Sequence, residues 1–248
     1  MKSNVLILLP VLNDAERIAN AIKSVIRQTE NDWNLVILDN NSTDGTSEIL
    51  DGFKFNTQIF IYRNNTTLSA GDNWAKIYKI GKDLFDYNYI CYLASDDFWV
   101  ESHYLEKLLE GINSLKGNLK YVSPRYVIKN EKLSEEVDYF NPKLKKSPRV
   151  SNLFKLLRNW QYVNLIYGLY SKNLFEVIMT DKMSNFTKYS GGDWYWVFNL
   201  LTIAEVLSCE KCTYFKIVGN RPSEVGKVNA IHDFVKSVFF LNEHFISC

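Results

Sequence analysis

Short apolar runs alternate with helix-period segments through the first half of the chain, and this alternation restricts the fold more than any other feature. Residues 4–9 run apolar without interruption, as a parallel strand covered on both faces does. Residues 33–38 repeat the pattern and stop at Asp39, and residues 57–62 and 89–94 form a third and fourth run. Helical segments lie between them. Ile18, Ala21, Ile22, Val25 and Ile26 recur at helical spacing after Asn13, which reads as an N-cap with Glu16 three positions on, a capping-box pattern. Residues 40–45 form a turn rich in Asn, Ser and Asp before a short helix, and residues 69–83 are helical. The order predicts an α/β fold with a mostly parallel, doubly wound, Rossmann-like sheet.

Ligands of such sheets bind outside the carboxyl ends of the strands. The polar residues that follow the strands gather there: Pro10 to Asn13, Asp39 to Asp44, and Ser95 to Asp97. No G-x-G-x-x-G follows the first strand, and no G-x-x-x-x-G-K-[ST] is present, which counts against dinucleotide and P-loop chemistry. Asp96 and Asp97 put two adjacent carboxylates at the mouth of the sheet. Close like charges repel, so a counter-charge belongs beside them. A hard divalent cation bound to substrate phosphates would supply it. The alternative is an acidic N-cap on a following helix.

The chain has 248 residues and is 46% hydrophobic, enough for one large domain. Its net charge of +1 shows none of the basic excess of a nucleic-acid partner. The apolar N-terminal run is cut by Pro10 and Asn13 too early for a signal peptide, and no stretch reaches the length of a membrane span. These readings predict a cytoplasmic protein. Cys209 and Cys212 form a single C-x-x-C with no second pair, which reads as two reduced cysteines rather than a zinc site.

The second half is less regular. Residues 130–149 are polar and read as a long exposed connection, with Lys143, Lys145, Lys146 and Arg149 close together. Leu153, Leu156, Leu157 and Trp160 then form an apolar helix face. A basic stretch beside such a helix suits peripheral contact at the inner membrane face across residues 143–160; a solvated loop is the alternative. A helix is predicted from Trp194, after Gly191, Gly192 and Asp193, and an amphipathic helix over residues 231–245.

Several of these segments together resemble the family 2 glycosyltransferases. The segment from Leu9 to Asn13 is similar to the family's P-x-[YL]-N opening, and Ile22, Ser24, Val25, Gln28 and Thr29 to its first helix. Val36 to Thr46 (V-I-L-D-N-N-S-T-D-G-T) is a close match to the most recognisable segment of the family. Gly71 to Trp74 resembles its G-x-N turn, Leu93 to Asp97 its metal-binding acidic motif, and Gly192 to Trp194 its later acidic motif. Many members carry a D-x-D pattern; here Ala94 and Ser95 precede, and Asp96 and Asp97 stand alone. The resemblance spans residues 4 to about 222.

It implies a GT-A fold, with a nucleotide-sugar-binding half over residues 1–99 and an acceptor-binding half over residues 100–248. It also implies an inverting, metal-dependent glycosyltransferase that uses a nucleotide-diphospho-sugar, with UDP-sugars favoured, in bacterial surface glycan synthesis. Its acceptor would be a saccharide or a lipid-linked saccharide. Asp39 would accept a hydrogen bond from the base, since an acceptor-only carboxylate suits the N3–H of a uracil. Pro10, Leu12 and Asn13 would line the base and ribose pocket, and Asn73 and Asp96 would approach the ribose and diphosphate. Asp97, with Asp96, would hold Mn²⁺ or Mg²⁺. Asp193 would be the general base, with helix capping as its alternative use. Arg221 would meet the diphosphate, because a guanidinium suits a pyrophosphate. Tyr167 and Trp194 would face the acceptor, and Trp196 would either do the same or pack in the core. Two competing readings are a nucleotidyltransferase on a related sheet and an inactive nucleotide- or sugar-binding module. The lack of glycine between Pro10 and Arg17 counts against the first, and the joint presence of Asp96, Asp97 and Asp193 against the second.

Overall fold

The computed structural model describes residues 2–130, 137–144, 149–179 and 192–218. Among these residues nine strands form one sheet in the order β3-β2-β1-β4-β8-β6-β9-β5, with β7 added beside β6. The strands are β1 (Lys2–Val11), β2 (Trp33–Asp39), β3 (Ile59–Arg63), β4 (Asp86–Tyr92), β5 (Phe98–Trp99), β6 (Lys120–Asn130), β7 (Val137–Phe140), β8 (Leu169–Ser171) and β9 (Glu205–Val218). Strands β3, β2, β1 and β4 are mutually parallel, the doubly wound half that the alternation predicts. The short β8 enters antiparallel between β4 and β6, and β9 runs parallel to β6.

The apolar runs are what they are because both sheet faces are covered. Leu6, Ile7, Leu8 and Leu9 of β1 and Val36, Ile37 and Leu38 of β2 are all fully buried. Truncating one such leucine to alanine costs about 2–5 kcal/mol through lost transfer energy and a cavity. Helix α3 (Ala70–Leu84) packs on β1 and β2, and α4 (Tyr104–Asn113) on β6, β8 and β9. Ser69 caps α3, its hydroxyl accepting from the Asp72 N–H at 3.1 Å.

Several expected boundaries move. β4 begins at Asp86 and ends at Tyr92, so Leu93 to Asp97 form the turn that follows it. The capping box does not form: helix α1 (Ile18–Ile26) starts later, with Arg17 at its N-cap and no side-chain cap. Asn13 is held elsewhere, as described below. The predicted connection over residues 130–149 is partly strand, because β6 continues to Asn130 and β7 pairs with it. Phe140 and Leu144 there are buried.

Helix α5 (Arg149–Arg158) packs on the 3-10 helix Trp160–Tyr167 and on the later helix Gly192–Ile203. Its Leu156 is fully buried and Leu153 lies against the core, so these apolar positions face inward. The side chains of Leu157 and Trp160, together with Lys145 and Lys146, lie outside the described residues. The remaining helices among the described residues are α2 (Thr46–Asp51), α6 (Lys172–Ile178) and α7, the Gly192–Ile203 helix. Residues 231–245 also lie outside the description. Among the described residues no helix is long and apolar enough to cross a membrane.

Cys209 and Cys212 are joined in a disulfide, contrary to the reduced pair expected. The cause is a bulge. β9 pairs with β6 at Ser208 and again at Thr213, so residues 209–212 loop out opposite Pro124, and the two Cα atoms come within 5.9 Å.

Candidate functional site

At the carboxyl edge of the sheet the turn after β1 and the turn after β2 clasp each other. Asn13 adopts a left-handed conformation (φ 52°) and its Oδ1 accepts from the Thr43 N–H at 2.8 Å. Its own N–H donates to Ser42 Oγ at 2.9 Å. The Asp14 N–H donates to Thr46 Oγ1 at 2.8 Å, and the Thr46 hydroxyl donates to Asp44 at 2.6 Å. That hydroxyl is the main reason the Asp44 carboxyl titrates below its usual range. Gly45 sits between them at φ +95°, a conformation that side chains rarely adopt.

Asp39 ends β2 and is fully buried (0% exposed). The Ser42 N–H donates to its Oδ1 at 2.9 Å, the Ser47 hydroxyl donates to its Oδ2, and Arg63 Nε lies 3.7 Å from that oxygen. The most recognisable segment of the sequence is therefore also a self-bonded turn. Pro10 is buried opposite Leu38 in the β1–β2 register, while Leu12 is 40% exposed at the lip.

Beneath this lip runs a chain of buried amides that no sequence motif connects. Asn64 donates both to Asn40 Oδ1 at 2.8 Å and to Asn73 Oδ1 at 2.9 Å. Asn40 in turn donates to the Leu68 carbonyl at 2.9 Å. Asn73 is thus placed below the surface, tying the start of α3 to the ends of β2 and β3.

The acidic cluster forms at the next strand. Asp96 is half-buried in the turn after β4, and Asp97 is almost fully buried (1% exposed). β5 follows at once and pairs antiparallel with β9, Phe98 opposite Phe215 and Trp99 opposite Tyr214. One step back along that register, Asp97 meets Lys216. The Ile217 N–H donates to Asp97 Oδ1 at 2.9 Å, and Lys216 Nζ lies 3.8 Å from Oδ2. Oδ2 is buried and meets no hydrogen-bond donor among the described residues, although the Tyr214 hydroxyl bears on the same carboxyl. Burial pushes the Asp97 carboxyl up to about 7, with Lys216 pulling it down and Asp96 pushing it further up.

Tyr167, at the end of the 3-10 helix, completes the cluster. Its ring stacks on Tyr214 at 5.1 Å, and Lys216 Nζ lies 4.4 Å from its centroid. Its hydroxyl is pushed up to about 12, chiefly by burial, with Lys216 opposing and Asp97, Asp193 and Asp96 adding to the push. The residue after it, Gly168, has no room for a side chain: a Cβ would come within 2.3 Å of the Tyr121 hydroxyl oxygen. Asp193 lies in the first turn of α7, inside the helix rather than at its cap. Its carboxyl titrates above its usual range because of desolvation, opposed by Lys216. Its side chain reaches solvent at the rim, which screens that shift.

Asp96, Asp97, Asp193 and Tyr167 thus share one electrostatic neighbourhood around Lys216. Trp196 is buried and donates to the Tyr170 hydroxyl at 3.0 Å, so it belongs to the core. The Trp194 side chain and all of Arg221 lie outside the described residues. Sequence reasoning missed Lys216, since its place depends on the β5–β9 register rather than on any motif.

Among the described residues no group of three or more His, Cys, Asp or Glu side chains forms a metal cage. Two carboxylates suffice for an ion of the Mg²⁺ type when phosphates complete its shell. The bare, buried Oδ2 of Asp97 beside Asp96 fits that use.

The parallel half-sheet with a mixed extension has the architecture of the GT-A fold. A family model described as Glycosyl transferase family 2 matches residues 6–178, and the chain belongs to that family. It is similar to dTDP-rhamnosyl transferase RfbG of Shigella flexneri, 33% identical over 104 residues that cover 41% of this chain and 34% of that protein. It is also similar to UDP-Glc:alpha-D-GlcNAc-diphosphoundecaprenol beta-1,3-glucosyltransferase WfgD of Escherichia coli. That match is 28% identical over 125 residues, 50% of this chain and 46% of that one. The chain therefore matches less than half the length of either relative. In fold it resembles residues 1-349 of S. aureus TarS in complex with UDP-GlcNAc. The TM-score is 0.60 at 14% identity, covering 89% of this chain and 60% of that one.

Proposed function

We propose that the protein is an inverting glycosyltransferase that moves a sugar from a nucleotide-diphospho-sugar to a hydroxyl of a saccharide or lipid-linked acceptor in bacterial surface glycan synthesis. The observation that carries the proposal is the convergence of the Asp39 clasp, the Asp96–Asp97 pair and Asp193 at one edge of one sheet. Asp39 would read the imide N3–H of a uracil or thymine ring, consistent with the UDP- and dTDP-linked names of the relatives. Because its carboxylate is fully buried under residues 40–47, a base reaches it only as that turn adjusts. Pro10, Leu12 and Asn13 would wall the base and ribose, and Asn73 would support the ribose side from beneath.

Asp97 and Asp96 would hold Mn²⁺ or Mg²⁺, which when bound stabilises charge on the departing nucleoside diphosphate. Asp193 would take the proton from the acceptor hydroxyl as the new bond forms; its exposed carboxylate at the rim of the acidic cluster supports that role. Attack from the face opposite the leaving group inverts the anomeric centre. Tyr167 and Trp194 would face the acceptor, and Arg221 the diphosphate. Peripheral membrane contact across residues 143–160 rests on the basic charges alone, since Leu153 and Leu156 pack inward.

A thermal-shift panel of nucleotide sugars with and without Mn²⁺ tests the donor class. Stabilisation by UDP- or dTDP-sugars but not by GDP- or CMP-sugars supports the reading. A shift with GDP-sugars alone would refute the pyrimidine assignment.

A further inference from the structure

Lys216 is set against the acidic cluster by the β5–β9 register, and none of the roles above uses it. Its Nζ lies 3.8 Å from Asp97 Oδ2, which meets no hydrogen-bond donor among the described residues, and 4.4 Å from the Tyr167 ring centroid. That separation is too long for a hydrogen bond, so the pairing is one of charge. The same bare oxygen is the one that a divalent ion would take. Two cations cannot share it closely: at about 4 Å their repulsion exceeds the attraction of a single ion pair, because the incoming ion carries two charges.

We infer that Lys216 is the resident counter-ion of the Asp97 carboxylate, and that a divalent ion therefore enters this site together with the nucleotide diphosphate rather than ahead of it. The inference rests on the transferase reading in taking a nucleoside diphosphate as the incoming anion. A free ion must expel the ammonium from Asp97, leaving it the Tyr167 side chain and the charge of Asp96 among the described residues. An ion that arrives with the diphosphate brings negative charge, to which the flexible lysine stem can turn.

The test measures Mn²⁺ binding without any donor, by calorimetry or electron paramagnetic resonance, at alkaline pH where Asp97 is ionised. Lys216→Met and Lys216→Gln should bind Mn²⁺ alone at least ~10-fold more tightly than wild type, a conservative share of the repulsion removed. Lys216→Arg, which keeps the charge, should match wild type, and Asp97→Asn should lose the binding. Unchanged or weaker binding in the neutral variants overturns the inference, as does a failure of both neutral variants to bind Mn²⁺. If the neutral variants do not fold, the wild type decides. Acylation of Lys216, read by peptide mass spectrometry against exposed lysines, should respond to Mg²⁺ with UDP and not to Mg²⁺ alone; a response to Mg²⁺ alone, or none to the pair, overturns the inference. None of these readouts involves sugar transfer. A protein that turned over no nucleotide sugar would refute the transferase reading while leaving the Lys216 result standing on its own.

Discussion

Replacing Asp39 by Asn separates its two jobs. In the folded protein its Oδ1 accepts the Ser42 N–H at 2.9 Å, while its Oδ2 takes the Ser47 hydroxyl and faces Arg63 Nε at 3.7 Å. Asn keeps an acceptor for Ser42 and a partner for Ser47, whose hydroxyl can rotate to accept. It loses the charge and turns an NH₂ towards Arg63. The Ser42 and Ser47 hydrogen bonds lose their charged acceptor, while the pairing with the exposed Arg63 adds little, so the loss is about 1–2 kcal/mol. For a domain of this size that lowers Tm by roughly 2–8 °C. The effect on ligand is separate. A base imide that donated to a carboxylate loses about 1.5–3 kcal/mol when the acceptor becomes an amide, or roughly 10–150-fold in Kd. Cytosine presents an acceptor at N3, so an amide NH₂ treats it better than a carboxylate does. Calorimetry with UDP, dTDP and CDP should therefore show UDP and dTDP weakened and the gap to CDP narrowed. A variant that melts earlier but binds UDP as wild type does would leave Asp39 as a turn residue alone.

Asp193→Asn should keep nucleotide affinity within about threefold (~0.7 kcal/mol) and lose at least ~100-fold in turnover; turnover that survives would assign Asp193 to helix α7 alone. Gly168→Ala drives a Cβ to 2.3 Å from the Tyr121 hydroxyl, so it should lower Tm by the equivalent of about 1–3 kcal/mol or more, read by differential scanning calorimetry. Unaltered stability there would show that Tyr121 is free to move. The Asp97 carboxyl, raised from 3.8 to about 7, is protonated in the folded state over a range where the unfolded chain is already ionised. The folded state binds more protons in that window, so the metal-free protein should lose stability as pH rises from about 4 to about 7 and level off above, by at most ~4 kcal/mol. Denaturant titrations across that window should show a flatter profile for Asp97→Asn, and identical profiles would show that Asp97 does not carry the shift.

The N-terminal half was legible because it is built locally. Uninterrupted apolar runs mark β1 and β2, helical spacing marks α1, and parallel neighbours follow from their order. The rest depends on pairing between distant segments. Nothing in the three residues of β8 says that they insert between β4 and β6, because β-propensity does not specify a partner. The capping box at Asn13 failed for a similar reason. A local pattern lost to a tertiary one, as the Thr43 N–H, thirty residues away, captured the Asn13 side chain. Asp39, Asp96, Asp97 and Asp193 could be picked out from strand ends and motif order. Lys216 could not, since a lysine in a strand near the chain's end is unremarkable until the register sets it opposite Asp97. The disulfide was hidden too, because only the bulge opposite Pro124 brings Cys209 and Cys212 together.

The central claim is transfer from a nucleotide sugar at the Asp97 and Asp193 cluster. Release of nucleoside diphosphate from a panel of UDP- and dTDP-sugars, with a saccharide or lipid-linked acceptor present, measures it most directly. The account predicts release from at least one donor that EDTA abolishes and Mn²⁺ or Mg²⁺ restores, and that Asp97→Ala and Asp193→Asn both lose. Release that persists undiminished in EDTA and in both variants would contradict it.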